Sequence, residues 1–335
     1  MNLTLRTLLG DRVSRVFHLP RARRVALVPC LLAALIAVTP HPAGAADALK
    51  VLACEPEWGA LVQELAGEQA SVYVATTAMQ DPHQIQARPS LIAAARGAAL
   101  VVCTGAELEV GWLPILLRQS GNAAIQPGLP GYFEAATFVR KLEVPLRVDR
   151  AEGDVHPGGN PHIQTDPRNI AAVAVALARR LAEVDPAHAA VYQARQADFA
   201  ARWAIAMARW QRSAAPLKGT LVVVKHMAFP YLEDWLGLQQ VAALEPKPGI
   251  EPTSSHLSQV LAQLQRQPAG MILRTAYDEP RSAEWLAERA KIPVVVVPFT
   301  VGGSPAARDL FGLFDDTVAR LLAALAPPAQ PAAAR

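Results

Sequence analysis

Basic charge is the first thing the body of this 335-residue sequence lacks. The formal net charge is +3, but residues 1–45 hold six arginines (Arg6, Arg12, Arg15, Arg21, Arg23, Arg24) against one acid, Asp11. Setting those aside leaves 26 Lys and Arg against 28 Asp and Glu, a net charge of −2, which gives no case for a nucleic-acid partner. Apolar runs long enough for a bilayer are missing too: Val25–Val38 spans 14 residues, short of the roughly 20 that a membrane helix needs. Cysteine is scarce. Cys30 lies inside that apolar run without the small residues that precede a lipid-modified cysteine, which leaves Cys54 and Cys103, each ending an apolar strand-like run. They read as two buried thiols, with a disulfide or a pair of metal ligands as the alternatives. There is no H-E-x-x-H motif, no solenoid-period repeat, and no Gly and Ser linker between halves.

What is present begins with a secretory leader: the basic stretch ending Arg21-Ala-Arg-Arg24, the apolar run, and small residues Ala43-Gly44-Ala45. Cleavage is expected near Ala45, giving a soluble exported chain. From Ala48 short β-branched or apolar runs alternate with amphipathic ones. Strands are expected over 49–54, 71–76 and 99–103, with helices over 56–66 and 90–96, the latter capped by Ser90. The same grammar restarts at Thr220. Strands over 220–225, 240–244, 270–275 and 294–297 alternate with helices over 229–236, 256–266 and 282–290, and a last helix covers 306–325. Between these regions lie two helical stretches separated at Asp185-Pro186, the first with Asp166 as cap and Pro167 at its first position.

The class is therefore α/β: two lobes, each a mainly parallel sheet with flanking helices, joined by one long rigid helix. The expected divisions are a signal peptide over 1–45, an N-terminal lobe over 46–186, a connecting helix over 187–216 and a C-terminal lobe over 217–335. In such sheets ligands gather at the carboxyl ends of the strands, which is where His83 falls.

Six histidines lie beyond the leader. His188 reads as a solvated residue at a helix start and His256 as structural. His156 reads as an exposed loop residue or as an auxiliary ligand. His83, His162 and His226 share a setting: each stands at a strand or helix end, and proline precedes two of them, in Asp81-Pro82-His83 and Asn160-Pro161-His162. Neutral imidazoles at rigid loops suit Zn²⁺, Cu²⁺ or Ni²⁺. Their separations carry no motif weight.

The words around them do. Asp81-Pro-His83, Asn160-Pro-His162-Ile-Gln-Thr-Asp166-Pro-Arg-Asn169, His226-Met-Ala-Phe229-Pro-Tyr231 and Glu251-Pro-Thr253 follow one another in order. With Thr104-Gly-Ala-Glu107-Leu-Glu109 and Trp112, the chain resembles the metal-binding solute proteins of ABC transporters, zinc and manganese types, over nearly all of 48–325. The resemblance implies a metal held between two lobes by His83, His162 and His226, and delivery to a membrane permease driven by a separate ATPase subunit. A monomer is expected. Manganese-type relatives place a carboxylate where His226 stands, so a third imidazole favours Zn²⁺ over Mn²⁺ or another divalent ion.

Two departures stand out. Many relatives supply an aspartate ligand after the last strand, whereas Pro298-Phe-Thr-Val-Gly-Gly303 holds no carboxylate. Water, Asp278, Glu279 or Glu55 is left for the fourth position. The histidine-rich loop of zinc members is reduced to His156. A rival reading is a zinc hydrolase working through the same three histidines and a metal-bound water. An adhesin or metal chaperone on the same fold is the third.

Overall fold

The computed structural model describes residues 48–145 and 156–326; the leader lies outside the described residues. The first sheet holds β1 (Leu49–Ala53), β2 (Ala70–Val74), β3 (Leu100–Cys103) and β4 (Tyr132–Glu134), in the order β2-β1-β3-β4 with every pairing parallel. The second holds β5 (Leu221–Val224), β6 (Gln239–Ala243), β7 (Met271–Arg274) and β8 (Val294–Val296), in the same order and again parallel. Parallel neighbours need a crossover. These are supplied by α1 (Pro56–Ala66), α2 (Pro89–Gly97) and α3 (Leu113–Ser120) in the first sheet, and by α6 (Pro230–Leu236), α7 (Ser254–Arg266) and α8 (Arg281–Ala290) in the second. The result is a two-lobed α/β fold.

Several expectations needed adjustment. The helix α3 and the three-residue β4 were not read from the sequence. Ser90 does not cap α2: the helix starts one residue earlier with Pro89 at its first position, where a missing N–H costs nothing, and Ser90 lies inside it. The last helix, α9 (Leu310–Leu325), starts later than expected because the Asp309 side chain caps it on Gly312 N.

Between the sheets run α4 (Pro167–Val184) and α5 (Ala189–Ser213), and Asp166 caps α4 on Arg168 N. At 25 residues, α5 is about 37 Å long. It is no free strut, because it packs along α4, α1 and α9. Its Trp203 ring sits 4.9 Å from Phe311 and its Trp210 ring 5.2 Å from Phe314. One apolar cluster runs through β1, β3, α1, α4, α5, β5, β7 and α9. Among the described residues no helix is long and apolar enough to cross a membrane.

In each sheet the strand order switches from one side to the other between the first and third strands, which leaves a crevice at their carboxyl ends. In the first sheet Cys54 and Cys103 stand there on adjacent strands, with Cα atoms 4.8 Å apart, and are joined by a disulfide. The reading as two free thiols is thus corrected. Their separation of 49 residues concealed that β1 and β3 are neighbours.

Candidate metal centre

The loop after β2 brings His83, the turn before α4 brings His162, and the residue pair after β5 brings His226. The three rings lie 5.4, 5.5 and 5.8 Å apart, centroid to centroid, and their ligand atoms fall within 4.8 Å of one another. Loops at the carboxyl edges of both sheets therefore meet at this point.

Two of the three rings are built by the same local device. In Asp81-Pro82-His83 the Asp81 Oδ1 accepts from the His83 backbone N–H at 3.0 Å and lies 2.7 Å from its Nδ1. In Asn160-Pro161-His162 the Asn160 Oδ1 does the same at 3.0 and 2.8 Å. A short side chain turned onto the backbone two residues on is an Asx turn, and the intervening proline fixes the approach. Because both oxygens only accept, each Nδ1 is the donor, and in the neutral ring Nε2 is the atom that carries the lone pair. His226 reaches the same state through a distant partner, Glu245 Oε2, 2.7 Å from its Nδ1. His83 Nε2 and His162 Nε2 are buried without a hydrogen-bond partner. Buried polar atoms seldom lack a partner, and two lone pairs converging in this way suit a cation.

Further bonds lock the loops together. Asn160 Nδ2 donates to Met227 O at 2.8 Å, so one amide orients His162 and holds the residue after His226. Trp112 Nε1 donates to Pro82 O at 2.8 Å and fixes the His83 loop, so this buried indole positions a ligand loop. Tyr231 Oη donates to Asn160 O at 2.7 Å. Arg168 joins its neighbour Asp166 to Asp234 of α6, at 2.6 Å to each.

The charge states follow from the surroundings. Burial holds the His162 imidazole well below its usual pKa, helped by repulsion from His83, His226 and His156, so it is neutral and able to donate its lone pair. Burial would lower His226 too, but the hydrogen bond and charge of Glu245, with Asp278 and Asp81 behind, raise it overall. Glu245 also lies 3.7 Å from the buried Lys225 Nζ, which Glu251 meets at 2.9 Å.

His156 is not the exposed residue that its loop suggested. Its ring is half-buried, 5.3 Å from His83, and burial followed by repulsion from His83 and His226 lowers its pKa to about 4. The acids considered for the fourth position are engaged elsewhere and do not join the group of converging ligand atoms. Asp278 Oδ2 accepts from Thr275 N at 2.7 Å, Glu279 accepts from Arg281 N at 3.2 Å, and Glu55 Oε2 accepts from Thr104 Oγ1 at 3.1 Å. His256 lies on α7 with Nε2 3.1 Å from Ala243 O, and His188 pairs with Asp185 at 2.7 Å, both outside the centre.

The family model described as "Zinc-uptake complex component A periplasmic" matches residues 51–324. The high-affinity zinc uptake system protein ZnuA of Paracoccus denitrificans (strain Pd 1222) is 24% identical over 312 residues, which cover 83% of this chain and 91% of the relative. Among solved structures, a crystal structure of ZnuA superposes with a TM-score of 0.70 at 22% identity, over 84% of this chain and all of the other. The Mn-bound periplasmic metal binding protein of Candidatus Liberibacter asiaticus gives a TM-score of 0.67 at 17% identity, over 82% of this chain and 98% of the other. At these identities the superpositions show the fold alone.

Proposed function

We propose that this chain, which belongs to the family of periplasmic zinc-uptake complex component A proteins, captures Zn²⁺ in the cleft between its lobes and delivers it to an ABC importer made of a permease and an ATPase subunit. His83, His162 and His226 are the proposed ligands. The observation that carries this reading is the convergence of three imidazoles held by their Nδ1 atoms, with Nε2 buried and unpartnered on His83 and His162. Donors around a tetrahedral Zn²⁺ stand about 3.3 Å apart. The present spacing of up to 4.8 Å closes with small side-chain movements. An all-nitrogen set favours zinc over manganese, which prefers oxygen.

His156 is the auxiliary donor in this reading: its ring stands 5.3 Å from His83, beside the converging group that the three histidines make. Asp81 and Glu245 are tied to ligand histidines and Asp278 to a backbone amide, which speaks for capture over hydrolysis. Passage through the periplasm follows from the leader-like N-terminus and the family.

The test is competition titration of the mature metal-free protein with Zn²⁺, Mn²⁺, Cu²⁺ and Ni²⁺, alongside elemental analysis. One tightly bound zinc per chain is expected, and it should be lost on replacing any of the three histidines by alanine. Even competition by Mn²⁺, no bound metal, or ester turnover by the zinc-loaded protein that His83→Ala abolishes would overturn it.

A further inference from the structure

The segment after β8 reaches the proposed centre without contributing a ligand. Phe299 has a positive φ of 70°, a region that L side chains seldom occupy and that is uncommon for an aromatic residue. Such a conformation persists where the surroundings over-determine it, and often at functional sites. Here the surroundings are specific. The next residue, Thr300, donates its hydroxyl proton to Glu57 Oε2 at 2.5 Å, binding the loop to the first turn of α1 in the other lobe. Thr300 N also bonds Pro298 O at 2.8 Å, and a Cβ at Gly303 would meet Pro298 O at 1.9 Å, so the turn is folded tightly on itself.

The strained backbone places the Phe299 ring, 5% exposed, against His162, with centroids 5.6 Å apart. Phe229 at 6.0 Å and Tyr277 at 5.8 Å complete an aromatic wall. The two cavities that Phe299 lines lie behind its ring, lined by none of the three histidines, and hold about 10 Å³ each, room for a single water at most.

We propose that Phe299 is a specificity-determining residue for the metal: its ring closes the His162 side of the centre to water and oxygen donors. The inference rests on the metal-capture reading above. Zn²⁺ is content with four ligands, whereas Mn²⁺ favours oxygen donors in a six-coordinate shell. A dry aromatic wall on one side leaves the nitrogen set intact and denies the larger shell its remaining positions. Selectivity would then come partly from a group that never touches the ion.

The test compares wild type with Phe299→Asn and Phe299→Asp. Both replacements are polar, and both side chains tolerate positive φ better than other residues do. Competition titrations of the mature protein with Zn²⁺ and Mn²⁺ give the ratio of the two dissociation constants. That preference for zinc should fall at least about tenfold in Phe299→Asn, and further in Phe299→Asp. A ratio equal to wild type in variants that melt cooperatively would overturn the proposal. If neither variant folds, Phe299→Gly, which accepts the positive φ and removes the ring, decides it: the zinc preference should fall there too, and a ratio equal to wild type would sink the idea. Failure of wild type to bind zinc at all would instead remove the capture reading, so the two failures are distinguishable.

Discussion

Glu245 Oε2 accepts the Nδ1 proton of His226 at 2.7 Å, while its other oxygen stands 3.7 Å from the buried ammonium of Lys225. Lys225 thus holds the carboxylate, and the carboxylate fixes the ring. Partners of this kind typically contribute about 10–100-fold to metal affinity. Glu245→Ala is expected to weaken zinc binding by that factor, and Asp81→Ala and Asn160→Ala to match it. Unchanged affinity in all three, measured by competition with a chromophoric chelator, would mean that ring orientation contributes nothing.

Replacing His156 separates an auxiliary donor from a bystander. His156→Ala should weaken zinc binding about tenfold, well short of the loss on replacing His83. An affinity equal to wild type would return His156 to the loop.

Acid should release the metal, with a sign set by His226. Its pKa is raised above the ordinary imidazole value, so below that raised value zinc must displace a proton from it. His162 and His156 are lowered and are already neutral at that point. Affinity should therefore hold steady above the pKa of His226. As pH drops through it, from above about 6.5, affinity should fall by up to about tenfold per unit. Titrations across that range check this, and in Glu245→Ala the fall should begin at lower pH.

The metal-free fold should respond to pH through Glu57. Burial, only partly offset by the Thr300 hydrogen bond, pushes its pKa to about 7 from the usual 4.5. The native state thus binds more protons than the unfolded chain between those values. Glu57 lends most stability below the unfolded value, and that contribution is lost as pH rises through about 7, a change on the order of 3 kcal/mol. His162 works in the opposite direction, so the readout is a difference. Relative to wild type, Glu57→Gln should gain stability in urea melts as pH rises from about 5 to 8. Parallel curves would refute the assignment.

Removing the Cys54–Cys103 bridge, which closes a separation of 49 residues, should cost about 4 kcal/mol on the chain-entropy account. Chemical unfolding of Cys54→Ala with Cys103→Ala measures it.

Much of this architecture was legible in the sequence. Asp81-Pro-His83 and Asn160-Pro-His162 could be read because each device sits within three consecutive residues, although the second bond of each Asx oxygen, to the ring, appears only in the folded loop. Glu245 gave no signal. It lies 19 residues from His226, and only the pairing of β6 with β5 carries it there. The Phe299 wall was hidden for a similar reason, since His162, which its ring meets, and Glu57, which Thr300 binds, lie on distant elements. The last helix and strand of the first sheet were missed because β4 is three residues long and α3 opens after Trp112, with no capping side chain to mark its start.

The apolar cluster threaded through β1, β3, α4, α5, β5, β7 and α9 has a consequence for how this protein can be taken apart. A cut between α5 and β5 would part Trp203 and Trp210 of α5 from Phe314 of α9, which they pack against at 5.5 and 5.2 Å. Neither half is a transplantable cassette, and calorimetry should record one melting endotherm for the whole body.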